Sequence, residues 1–335
     1  MPGACSHAHQ SLFQLPPSIW WAAVAVPHTN PSGNLLPAVT SLVTTADGSV
    51  PPVPQDAVDD LVKLLDLEAI EVNMFRGVSP VEDRQRIFGG QVAGQALVAA
   101  ARTVETERQV HSLHAYFLRA GDPRVPVLYE VDRIRDGGSF TTRRVVAIQH
   151  GRAIFNMSAS FQVPEDGSDH AFPMPEVPAP EDLPTMRERL AHAGIELTPW
   201  MERPRPIDIR HVDWPAPDGT RSLEPRQNVW LRADGRLPDD PILHTIVLTY
   251  ASDMTLLDTS TLPHGGTWFD PTVFMASLDH AMWFHRPFRA DDWLLYSQDS
   301  PNATGGRGLS RGLVFRHDGT LVATVMQEGL IRKGR

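Results

Sequence analysis

With 335 residues, 41% of them hydrophobic and 21% charged, the chain has the composition of a soluble globular protein, long enough for two cores of ordinary size. A formal net charge of −10 argues against a nucleic-acid partner, which needs clustered basic surface, and leaves room for a local basic patch only. The single cysteine, Cys5, argues against disulfides, thiolate metal sites and a cysteine nucleophile and points to a reducing, cytoplasmic setting, and no apolar run reaches the roughly 18 residues of a membrane-spanning helix.

In chain order, residues 1–55 are rich in Pro, Ser, Thr, Ala and Gly without a sustained apolar period, and read as a disordered extension. The apolar stretch around Trp20, Trp21 and Val24 has no Lys or Arg before it, unlike a secretory signal. Asp56 to Leu67 predicts an amphipathic helix through Val58, Leu61, Leu64 and Leu65. Gly89 to Ala101, built of small residues, predicts a helix thin enough for a sheet to wrap closely. Strands are expected at Val110 to Leu118, Val127 to Asp132, Phe140 to Gln149 and Ala153 to Val163, with turns at Asp136-Gly137-Gly138 and His150-Gly151. A Pro-rich, acidic linker follows over 166–205, with one short helix near Thr185 to Gly194. The second half predicts a helix over Pro241 to Leu257 and strands at Val273 to His285, Trp293 to Ser297, Gly308 to Arg316 and Thr320 to Ile331. Neither half alternates strand and helix, so the expected class is α+β with antiparallel sheet rather than a parallel doubly wound one.

The halves are related. Moved forward by 167 positions, residues 117–160 fall on 284–327 without a gap, and Phe117, Arg119, Leu128, Tyr129, Asp132, Gly138, Arg144 and His150 meet their own residue types. A period near half the chain means two copies of one unit packed side by side, with a site between them. The expected organisation is an extension over 1–55, one repeat over 56–165, the linker over 166–205 and a second repeat over 206–333.

No Gly-x-Ser-x-Gly elbow, phosphate loop or dinucleotide fingerprint occurs, and His280 and His285, five apart on a strand, point to opposite faces rather than to one metal. No metal or other cofactor is expected. What remains is polar chemistry among apolar neighbours. Asp253 lies at the end of the run Ile246 to Met254, where an unpaired buried carboxylate costs several kcal/mol. Ser277 begins a strand and Gln327 lies in the last one. The 167-residue shift puts Val110 opposite Ser277 and Ser160 opposite Gln327, and, less securely, Arg86 opposite Asp253. One copy is therefore specialised, which favours a single site per pair of repeats.

The runs Phe88 to Leu97, His111 to Arg119, Tyr250-Ala251-Ser252-Asp253, Asp279 to Phe288 and Gln327-Glu328-Gly329 resemble the acyl-CoA thioesterase II family, which spans the bacterial thioesterase B type and the peroxisomal acyl-CoA thioesterases. The resemblance runs from about Asp56 to Arg332. It implies a double hotdog fold, each copy wrapping a long helix in antiparallel sheet, and an enzyme that hydrolyses medium- to long-chain fatty acyl-CoA to acid and coenzyme A. By motif, the family's catalytic Asp, Thr or Ser, and Gln fall on Asp253, Ser277 and Gln327. Many bacterial members carry Thr where this chain has Ser277. Peroxisomal members end in a targeting tripeptide, whereas this chain ends Arg332-Lys333-Gly334-Arg335. A homodimer or homotetramer is expected by resemblance.

The mechanism these residues suit is a water held by Asp253, Ser277 and Gln327, with Asp253 as general base and the oxyanion held either by backbone N–H groups or by the Gln327 amide. A Ser277 nucleophile competes with it, without a recognisable His partner. For substrate binding, Gly90 and Gln91 at the helix opening allow close approach of the thioester, His111 is a candidate pocket residue, and Arg143 and Arg311, with Arg144 and Arg307, are candidates for the phosphates of coenzyme A. Two other functions stay open: a non-catalytic acyl-CoA binding module, and a hotdog hydratase or dehydratase, which would need an Asp/His pair.

Overall fold

The helix α2, Gly89–Ala101, contains no side chain bulkier than leucine, and every residue from Gly90 to Ala100 is buried. Buried on all sides, with Gln91 and Gln95 as its polar groups, it is a core element rather than a surface one. A computed structural model describes residues 54–80, 85–195, 197, 202–214, 224–265 and 272–334. The expected extension over 1–55 lies outside them except for Pro54 and Gln55, which already belong to the first helix, α1, Pro54–Leu65. A short helix α3, Met186–His192, is closed at its start by a capping box between Thr185 and Glu188. The helix α4, Pro241–Ser252, has proline at its first position and an Asp240 carboxylate that accepts from the Ile242 N–H. Where a Cβ would be on Gly90 lies the Tyr250 carbonyl, and the same point on Gly94 faces Leu65 and Ile246. Contacts 90 to 250 and 94 to 246 mean that α2 and α4 run antiparallel, each start beside the other's end.

One antiparallel sheet wraps this pair. Its strands are β1 Glu68–Glu71, β2 Met74–Gly77, β3 Gln109–Phe117, β4 Val127–Asp136, β5 Phe140–Gln149, β6 Arg152–Gln162, β7 Ile207–His211, β8 Arg226–Ala233, β9 Val273–Ser277, β10 Asp279–Phe284, β11 Leu294–Thr304, β12 Arg307–Arg316 and β13 Leu321–Lys333. The order is β1-β2-β4-β5-β6-β3-β10-β13-β12-β11-β8-β7, with β9 continuing alongside β13. The halves join where β3 pairs with β10. Strand β5 moved by 167 residues coincides with β12, and β4 starts 167 residues before β11. The fold is thus α+β, a tandem double hotdog. A continuous apolar core from Val58 to Val325 spans both halves. A smaller core of Trp230, Leu295, Phe315 and Leu321 is covered by Met174, Val177 and Leu183, so the acidic linker packs back on the second half.

Two expected elements change shape. The second helix ends at Ser252 instead of Leu257, because the chain beyond it is held by side chains: Gln227 donates to the Thr255 carbonyl and Gln298 to the Thr255 hydroxyl. The single strand expected over 273–285 is two. Ser277 pairs with Gly329 but Ala281 with Met326, four residues against three, so Leu278 is a bulge. The Asp279 carboxylate secures it by accepting the Glu328 N–H at 2.7 Å.

Candidate active site

Asp253 is the residue at which α4 stops, and the antiparallel packing sets it against the start of α2. The N-cap of α2, Phe88, supplies no side-chain hydrogen bond, and its first turn holds no acidic residue. A helix start keeps free N–H groups and a partial positive charge, so a carboxylate from elsewhere is the natural partner. The Gly90 N–H donates to Asp253. Gly89 has to be small, since a Cβ there would lie 2.5 Å from Asp253 Oδ2.

Strands β9 and β13 supply the other two groups. Gln327 alternates with Val325 and Gly329 on the inward face of β13 and is fully buried. The bulge at Leu278 fixes Ser277 opposite Gly329, hence on the same face as Gln327. Ser277 Oγ donates to Asp253 Oδ1 at 2.9 Å, Gln327 Nε2 donates to the same oxygen at 2.5 Å, and Gln327 Nε2 lies 3.0 Å from Ser277 Oγ. Two side chains remote in sequence therefore converge on one carboxylate oxygen of a third, and Oδ2 stays on the Gly89 side.

Burial raises the Asp253 carboxyl to about 6, against the lowering pull of Gln327, Ser277 and the Gly90 N–H. The residue before it is pinned separately. Ser252 Oγ lies 3.0 Å from the Thr249 carbonyl and 2.8 Å from His280 Nε2, and Tyr296 OH donates to the Ser252 carbonyl. Burial pushes His280 down to about 4, so this histidine is neutral.

The residues expected to bind substrate are dispersed. Gly90 is in the site. Gln91, one residue on, donates to the Val78 carbonyl and Ser79 hydroxyl. His111 Nε2 lies 2.8 Å from Ser160 Oγ; the 167-residue shift sets this hydroxyl opposite Gln327, but in the sheet Ala159 takes that place, because β6 is offset by one residue against β5 relative to β13 against β12. Arg143 is buried at the far end of α2, donating to Thr103, to the Arg135 and Thr142 carbonyls and to Asp136 at 2.5 Å, beside a cavity of about 440 Å³ shared with Arg108 and Arg133. Arg311 pairs with Asp299 across β11 and β12, as Arg144 pairs with Asp132 in the first copy. Arg307 pairs with Glu328. Each of these arginines thus has a carboxylate partner within the chain.

Two features escaped the sequence reading. One is the contact of Asp253 with the start of α2, whose signal was the glycine pair. The other is Asp258, half-buried in a 3-10 turn at Leu257–Ser260, whose carboxyl burial raises to about 7, with the negative charge of Asp253 adding to the rise. Its signal was a second acid within five residues of Asp253 in an apolar run.

The chain matches two family models, one described as acyl-CoA thioesterase over residues 208–330 and one as acyl-CoA thioesterase N-terminal domain over 79–162. It is 46% identical to acyl-coenzyme A thioesterase 8 of Mus musculus over 285 residues, covering 81% of this chain and 88% of that protein. Acyl-CoA thioesterase 2 of Haemophilus influenzae is 40% identical over 281 residues, covering 83% and 98%. Among solved structures, an acyl-CoA thioesterase II from Mycobacterium marinum superposes with a TM-score of 0.67 at 49% identity, over 81% of this chain and 97% of that one. A hot dog fold protein from Alicyclobacillus acidocaldarius, 20% identical and covering 83% and 99%, superposes at 0.66 and speaks for the fold alone.

Proposed function

The chain belongs to the acyl-CoA thioesterase family, and from that premise we propose that it hydrolyses medium- to long-chain fatty acyl-CoA through a water molecule activated by Asp253, Ser277 and Gln327. The observation that carries this reading is the convergence of Ser277, Gln327 and the Gly90 N–H on the Asp253 carboxylate. Oδ1 is taken by the two side-chain donors, which leaves Oδ2 as the proton acceptor. A carboxylate raised to about 6 is ionised at neutral pH yet basic enough to draw a proton from attacking water, help typically worth roughly 10²–10⁴ in rate.

The reaction then runs in balance. Water oxygen bonds to the thioester carbonyl carbon while its proton passes to Asp253. The carbonyl oxygen becomes an oxyanion beside the first-turn N–H groups of α2 other than that of Gly90, which Asp253 holds; such donors are typically worth about 10²–10³ each. Collapse breaks the carbon–sulfur bond, and the proton on Asp253 leaves with the coenzyme A sulfur. Ser277 has no histidine for a base, because its hydroxyl donates to Asp253 itself. Among the described residues no histidine is a partner of Asp253, which argues against a hydratase.

Free thiol released from palmitoyl-CoA and shorter homologues tests both activity and chain preference. Asp253→Asn is expected to lower kcat by about 10²–10⁴ with KM within a few-fold. A variant that keeps a tenth of the rate removes Asp253 as base, a stable acyl-Ser277 adduct in mass spectra replaces the water mechanism, and wild-type protein that binds without turnover is a binding module.

A further inference from the structure

Asp258 takes part in none of these steps, yet its position is fixed by the same strands. In the turn Leu257–Ser260, residues three apart face one way. Leu257 lies where a Cβ of Gly329 would be, and Ser260 where a Cβ of Gly308 would be. Gly308 and Gly329 are a cross-strand pair of β12 and β13, and the next pair on the same inward face is Ser310 and Gln327. The turn that carries Asp258 thus rests in a shallow of the sheet made by two glycines, immediately beside Gln327. A buried network holds the turn there: Gln227 donates to Thr259 Oγ1 at 3.0 Å, and Thr259 Oγ1 donates to Gln298 at 2.9 Å.

Asp253 and Asp258 differ in what surrounds them. Asp253 has three donors; among the described residues, Asp258 is acted on by burial and the charge of Asp253. The elements packed on the turn bring no cation to it among the described residues. On β12 and β13, Arg307 and Glu328 pair with each other on the outer face, Arg311 pairs with Asp299 of β11 likewise, and Arg226 of β8 and His264 after the turn are exposed. Tyr296 of β11 faces inward, but burial holds its phenol protonated. His280 and Asp279 of β10 are engaged with Ser252 and the Glu328 N–H. Two carboxyls in one water-poor site do not both ionise readily, and the one with donors keeps the charge.

We propose that Asp253 and Asp258 work as one carboxyl pair with a single negative charge, Asp253 ionised against its three donors and Asp258 protonated, and that ionisation of Asp258 sets the upper pH limit of the reaction. Asp258 is a positioning residue of charge, acting through Asp253 and on the anionic substrate. The inference rests on Asp253 being the base. Once Asp258 ionises, a second negative charge opposes both the developing oxyanion and the phosphates of coenzyme A.

The test is kcat/KM against pH from 5 to 9 for wild type, Asp258→Asn, Asp258→Glu and Asp253→Asn. Wild type is expected to rise through about 6 and to fall beyond about 7, the two apparent ionisations of the pair. Asp258→Asn keeps the rise and loses the fall, so its rate relative to wild type grows about tenfold between pH 6.5 and 8. Asp258→Glu, still ionisable, retains a fall. Should the Asn variant not fold, Asp258→Ser serves as the neutral replacement. Superimposable profiles for wild type and the neutral variant overturn the inference, as does a loss by one constant factor at every pH, the mark of a structural role. An active Asp253→Asn instead sinks the reading of the base, and the two failures are told apart by which variant gives them.

Discussion

Gly89→Ala is the most local perturbation of the site available, because it adds one methyl group directly under the carboxylate. The new Cβ would lie 2.5 Å from Asp253 Oδ2 and 2.9 Å from the Phe117 ring. Non-bonded heavy atoms settle near roughly 3.5 Å, so Oδ2 must retreat by about 1 Å or α2 must shift by as much. Displacements of that size from near-attack geometry cost about 10²-fold, or about 2.7 kcal/mol of barrier. Overpacking costs about 1–3 kcal/mol of stability, and replacing a helical glycine returns up to about 1 kcal/mol, leaving a net loss of about 0–2 kcal/mol. The expected result is kcat about 100-fold down by thiol release, KM within a few-fold and a small drop in melting temperature. Gly94→Ala, whose Cβ would stand 3.0 Å from the flexible end of Leu65, serves as the control for an ordinary glycine in the same helix and should keep kcat within a few-fold. If Gly89→Ala holds kcat within threefold while losing stability, then Asp253 is not poised on its Gly89 side and the water step as drawn is wrong.

Two further outcomes follow from the same geometry. Ser277→Ala removes the hydroxyl donor to a charged carboxylate, a bond worth about 1.5–3 kcal/mol, so kcat should fall roughly 10–100-fold, whereas Ser277→Thr keeps the hydroxyl and should stay within a few-fold; the reverse order in a thiol-release assay contradicts the role assigned to the hydroxyl. Arg143→Met strips the guanidinium that Asp136 and Thr103 share, and breaking a buried ion pair costs about 3–5 kcal/mol; thermal unfolding should show the loss while kcat/KM for acyl-CoA at low temperature stays within threefold. A large rise in KM at unchanged melting temperature would instead place Arg143 in the substrate site.

The repeat was legible because strands on a sheet keep register, and register is a sequence period. From Phe140 to Gln149 and from Arg307 to Arg316 the 167-residue shift holds to the residue. The helices do not obey it: Gly89 and Pro241, which open α2 and α4, stand 152 positions apart and the residues that end them, Arg102 and Asp253, stand 151 apart, so the counterpart of Asp253 at a helix end is Arg102 and not Arg86. Loops between helix and sheet absorb such differences without disturbing either. Strands β1, β2, β7 and β8 went unread because three are only four or five residues long and β8, though rich in Val, Trp and Leu, is buried along most of its length and so lacks clean alternation. The partners of the arginines were not legible in the sequence: Asp132 with Arg144 and Asp299 with Arg311 are cross-strand pairs kept in both copies, and the partner of a charge on the next strand shows only once the register is known.

Why a symmetric scaffold carries one site can be argued from its two ends. Antiparallel packing creates two junctions, each pairing the end of one helix with the start of the other. At the first, α4 ends in Asp253 and α2 begins with glycines whose N–H groups have no side-chain cap of their own. At the second, α2 ends in Arg102, which is tied to Asp66, and α4 begins with Pro241, which has no N–H, capped by Asp240. The strand positions diverge in the same sense. Where β12 and β13 pair Ser310 with Gln327 on the inward face, β5 and β6 pair Arg143 with Ala159, and Arg143 spends its donors on Thr103, Asp136 and backbone carbonyls. Restoring an acid at the second junction would therefore not create a second site, since at the start of α4 Pro241 has no N–H and that of Ile242 is held by Asp240, and a guanidinium occupies the strand face where the water-holding amide belongs.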